Sequence, residues 1–92
     1  MRITTLTLFA AAIALTSTPS FADRATADAC AAKLAPEAKL IYAEVIGSVV
    51  PGVQLEEVVR SKTRSLVIGG QVNRGQAEPS ARAAGACLKQ AL

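Results

Sequence analysis

Cys30 and Cys87 are the only cysteines among the 92 residues, and the chain contains no histidine. Their spacing rules out a Cys-x-x-Cys redox pair, and two thiolates alone make half of a tetrahedral zinc site. The acids that would have to complete such a site are scattered without ligand spacing. A structural disulfide is the chemistry this pair suits.

Other chemistry finds little support. Ser48, Ser61, Ser65 and Ser80 have no histidine to act as general base, and none stands in a nucleophile-elbow sequence. Glu56 and Glu57 are adjacent, so on a helix they point roughly 100° apart. Glu37 and Glu44 share a helix face at roughly 10 Å, near the upper end for an inverting glycosidase, but so short a chain offers no cleft between them. Gly69, Gly70 and Gly75 lack the Gly-Lys-Ser/Thr ending of a phosphate loop, because Gln76 and Ala77 follow Gly75. The chain therefore reads as a non-enzyme with no catalytic, cofactor-binding or metal-ligating residues.

The elements that position the cysteines are legible as two apolar stripes. Ala27, Cys30, Ala31 and Leu34 fall at offsets 0, 3, 4 and 7, and Ala84, Cys87, Leu88 and Ala91 repeat those offsets. The spacing predicts a first helix over 23–33, with Asp23 or Thr26 as its cap, and a last helix over 78–92. A Cys30–Cys87 disulfide then joins the two. Between them, Pro36 opens a second helix that runs to about Ser48, with Ala38, Ile41, Tyr42, Val45 and Val49 on its inner face. Val49-Val50-Pro51-Gly52 is a stop and a turn. A strand over 45–50 is the competing reading, set aside because the flanking period is near 3.6 and a lone strand has no partner. The third helix spans 54–68 on a stripe of Leu55, Val58, Val59, Lys62 and Leu66, with the Lys62 stem covering apolar surface. An i,i+4 pair between Glu56 and Arg60 supports it, and Gly69-Gly70 ends it. The polar stretch 71–76 is a loop in which Val72 tucks back. Gly85 in the last helix implies a surface position or the close approach of another helix. The expected fold is all-α: one small four-helix domain closed by a disulfide between its first and last helices.

Residues 1–22 read as a signal peptide. Arg2 provides a positive start, Leu6–Leu15 an apolar run broken by Thr7, and Ser20-Phe21-Ala22 a small-x-small cleavage site before Asp23. That run is shorter than the roughly 20 residues a spanning helix needs, so no stable membrane span is expected after cleavage. The implied compartment is the periplasm or the exterior. Residues 23–92 form the single domain, with nine bases against seven acids and Tyr42 as its one aromatic. A domain of this size with a core of Leu, Val, Ile and Ala is marginal, and closing the loop from Cys30 to Cys87 contributes about 4 kcal/mol on a chain-entropy model.

Arg60, Lys62 and Arg64 alternate along the third helix, so they spread around it without forming a stripe, and an ordinary solvated face is the default reading. A modest positive patch with Arg74 and Lys89, suited to an anionic envelope surface or an acidic partner, is the alternative; nucleic acid is not expected without aromatics or a recognition helix. Val49, Val50, Val53, Val67, Ile68 and Val72 exceed what one face of each helix needs and cluster at helix ends, a candidate interaction surface. The expected function is a small exported, non-enzymatic helical module that binds another envelope protein, a peptide or its own copy. A stress-responsive holdase chaperone and a small hydrophobic-ligand carrier are the alternatives. In size, compartment and use of one disulfide, the plan is similar to small periplasmic acid-stress chaperones. That likeness covers no aligned residues and transfers no functional position.

Overall fold

The computed structural model describes residues 21–92, and the proposed signal peptide lies, up to Ser20, outside them. Four helices follow one another: α1 (Phe21–Ala31), α2 (Pro36–Ile46), α3 (Leu55–Ile68) and α4 (Ala77–Leu88). Short 3₁₀ turns cover Arg74–Gln76 and Lys89–Ala91. Among the described residues there is no strand, so the valine-rich stretch 45–50 is the end of a helix and a turn.

Proline and glycine set the boundaries. Ala35 is extended (φ −65°, ψ 159°), as the residue before a proline must be, and Pro36 opens α2 where its missing N–H leaves no bond unmade. Val50-Pro51-Gly52-Val53 is a turn closed by the Val53 amide on the Val50 carbonyl, with Gly52 at φ +88°. That is the type II geometry, which places proline second and a positive-φ glycine third. Helix α3 ends at Gly70, φ +79°, where the Gly70 amide donates to the Val67 carbonyl and the Gln71 amide to that of Leu66. This pair of bonds is a Schellman cap, and it turns Val72 inward to 2 % exposure. The loop toward α4 is pinned by Asn73, whose side chain accepts from the Gly75 amide and whose own amide donates to Glu37 on α2.

The core follows the expected stripes on α1, α2 and α4. Ala27, Ile41, Val45, Ala84 and Leu88 are sealed from solvent, with Cys87 and Ala91 nearly so. Helix α4 is the hub: it packs most extensively against α2 and also against α1 and α3, while α1 lies chiefly on the final turn Lys89–Ala91. The disulfide joins Cys30 and Cys87 across a Cα–Cα distance of 5.5 Å, linking the first and last helices.

Several local expectations are corrected. Phe21, the first described residue, is already helical, so Asp23 and Thr26 both lie within α1. Helix α2 stops at Ile46 because Gly47 follows, and α4 gives way to a 3₁₀ turn after Leu88. On α3 the buried positions are Leu55, Val59, Thr63 and Leu66, with Val58 and Lys62 half-buried. The neighbours that cover α3 are centred one position further round than the apolar residues alone suggested. Arg60 pairs with Glu57 at 3.8 Å and not with Glu56.

Candidate functional site

The outer flank of α3 and the flank of α4 beside it meet in an open groove of about 1000 Å³. Its construction follows from helical spacing. Residues four apart stack one above another on a helix, so every helix face is a set of i+4 rows. The inner row of α3 is Leu55, Val59, Thr63 and Val67, and the inner row of α4 is Ala77, Ala81 and Gly85. These form an apolar floor with one tall wall and one low one. The outer row of α3 is Glu56, Arg60, Arg64 and Ile68; that of α4 is Glu78, Arg82 and Ala86, continued by Lys89, while Arg74 stands at the end where the chain enters α4.

Among the described residues, open space lies beside the low wall. A β-carbon placed on Gly85 would meet nothing within 4 Å. A glycine in the middle of a helix gives up about 1 kcal/mol relative to alanine. Of the two explanations for Gly85, close approach by another helix of this domain is excluded. Helix α1 packs at the end of α4 and not along this flank.

Charge is segregated around the groove. Five cations and two carboxylates line it, whereas the rest of residues 23–92 holds four cations and five carboxylates. Arg82 pairs with Glu78 at 3.0 Å and Arg60 with Glu57, both on exposed side chains where such pairs contribute little. Among the described residues Arg64, Arg74 and Lys89 form no ion pair. Arg60, Arg64, Arg74 and Lys89 line this one groove, joined by Arg82 and without Lys62, with Glu56 and Glu78 among them.

The proposed valine-rich surface is divided. Val67 and the 76 %-exposed Ile68 line the groove. Val50 is exposed but lies outside it, Val53 is half-buried against the core, and Val49 and Val72 are core residues. The Schellman cap and the Pro51 turn swing these last two inward, so they present no surface.

The remaining chemistry-bearing residues do not converge. Both cysteines are in the disulfide, and no group of three or more His, Cys, Asp or Glu among the described residues could hold a metal. Glu37 holds the Asn73 amide, which makes it a structural acceptor. No described helix is long and apolar enough to cross a membrane. Comparison with protein-family models, curated proteins and solved structures finds no match to this chain.

Proposed function

We propose that this chain is an exported, non-enzymatic interaction module whose α3/α4 groove receives a helix of another protein. The observation behind this reading is the groove itself: Leu55, Val59 and Thr63 close its bottom and are buried, Val67, Ile68, Ala77, Ala81, Gly85 and Ala86 supply its accessible apolar surface, and no other described α-helix lines it. An i+4 row on one helix is the shape that fits between two rows on another. The trough is open along its length, so an occupant keeps one face in water, as an amphipathic helix does. A small ligand is normally buried over 70–90 % or more of its surface, which this geometry does not provide. The disulfide favours an oxidising compartment.

The test is an amide chemical-shift titration of the oxidised protein with a synthetic three-turn helical peptide. The peptide carries a Leu/Ala stripe at i, i+3, i+4 and i+7 and glutamine elsewhere. Saturable shifts at Val67, Ala81 and Gly85 are expected, and Gly85→Leu, which fills the groove, should abolish them while the helical spectrum is retained. Shifts spread over other faces, or binding untouched by Gly85→Leu, would refute the assignment.

A further inference from the structure

We infer that the occupant is an acidic amphipathic helix of a partner protein, about three turns long, with carboxylates flanking its apolar stripe on both sides. The inference rests on reading the groove as a helix-docking site and adds the partner's charge and its arrangement.

The cations stand on both edges of the apolar floor. Arg60 and Arg64 border it on α3 beside Glu56, and Arg82 on α4 beside Glu78, with Lys89 in the turn that follows α4 and Arg74 at the end where the chain enters it. A helix seated between them meets rims that are mixed but net positive, five cations against Glu56 and Glu78, and flanking charge of this kind selects partners in coiled coils. Three of the five cations have no ion pair among the described residues, so they are available without breaking one. Helix α4, the shorter wall, has 12 residues, about 18 Å or a little over three turns, which sets the span of the occupant.

Other occupants fit less well. The chain's own residues 1–20 contain no Asp or Glu and bring Arg2, adding positive charge to a positive rim. A second copy docked groove to groove about a two-fold axis would oppose like rims. An anionic lipid offers charge at one end of its tail and leaves that tail half wet in an open trough.

The experiment compares the glutamine peptide above with two versions whose flanking positions are all Glu or all Lys, titrated against the full oxidised chain. The Glu peptide should bind roughly ten-fold more tightly than the Gln peptide, the gain expected from a few exposed ion pairs, and the Lys peptide more weakly than either. Raising salt should remove most of that difference, because exposed pairs are screened. Arg64→Gln combined with Arg74→Gln should bring the Glu peptide down to the Gln peptide's affinity, whereas Lys39→Gln, outside the groove, should change nothing.

Equal affinity for the Glu and Gln peptides would overturn the acidic partner while leaving helix docking intact. No binding by any of the three would overturn both. Stronger binding to vesicles of zwitterionic and anionic phospholipid than to the Glu peptide, lost on Gly85→Leu, would replace the helix with a membrane surface. A dimer in sedimentation equilibrium that dissociates on Gly85→Leu would replace it with a second copy.

Discussion

The Tyr42 hydroxyl on α2 donates its hydrogen to Oδ1 of Asp28 on α1, and Arg24 lies 3.7 Å from that same oxygen. This polar side-chain bond ties α1 to α2 at the edge of an otherwise aliphatic core. Burial of the ring, reinforced by the Asp28 bond and its negative charge, pushes the Tyr42 hydroxyl up to about 12.

The pH dependence follows from that shift. An unfolded tyrosine gives up its proton near pH 10, whereas the folded one keeps it to about 12. The stability Tyr42 contributes is therefore complete below pH 10 and is lost as pH rises from 10 to 12. Chemical unfolding across that window should show the decline, with phenolate absorbance reporting the late ionisation. Tyr42→Phe should cost about 1 kcal/mol at neutral pH, since Asp28 is exposed and can turn to water, and should lose this component of the alkaline decline.

Thr63→Val should stabilise the protein. Thr63 is 93 % buried, and its Oγ1 has no hydrogen-bond partner among the described residues. A buried hydroxyl left unpaired costs about 1–3 kcal/mol, and valine keeps the shape without it. A rise of about 1 kcal/mol in unfolding free energy is expected; a fall would mean the hydroxyl is satisfied in solution.

Two glycine-to-alanine substitutions should move stability in opposite directions. Gly70 needs its positive φ for the cap of α3, so Gly70→Ala should cost about 1–2 kcal/mol. Gly85 is helical with open space at its β-carbon, so Gly85→Ala should gain about 1 kcal/mol. Thermal melts of the two variants beside the parent give the comparison.

Replacing Cys30 and Cys87 together by alanine should remove about 4 kcal/mol, a large fraction of what a domain of this size has. Urea unfolding of the double variant, and of the parent with and without reductant, measures it. A parent whose midpoint ignores reductant would show that the cystine contributes nothing.

Much of the frame was legible because period 3.6 and the proline and glycine positions are local signals. The stripes of α1, α2 and α4, the disulfide and both chain reversals follow from residues read in order. The centre of α3 was less legible: Lys62 and Thr63 interrupt its stripe, and only the neighbours decide which of the two is covered. Glu37 could not be recognised as the acceptor for Asn73, because that bond spans 36 residues of sequence.

The groove was half legible. Its cations could be listed, and Ala77, Ala81 and Gly85 form a visible i+4 row. What no local pattern reveals is that α1 settles on the end of α4 and leaves that row uncovered. Val49 and Val72 carried two readings, core and interaction surface, and burial decides for the core: an apolar residue in a loop points out or in according to the turn geometry around it.

The Cys30–Cys87 link also decides how this protein would respond to being pulled. Tension applied at residues 21 and 92 passes along α1, through the cystine and out by the last few residues. The 57-residue separation between the two cysteines removes about 190 Å of contour from the load path. Helices α2 and α3 and most of α4 lie on an unloaded branch. A stretched or tethered molecule would thus keep the walls of its groove, Lys89 apart, out of the line of force for as long as the cystine remains oxidised.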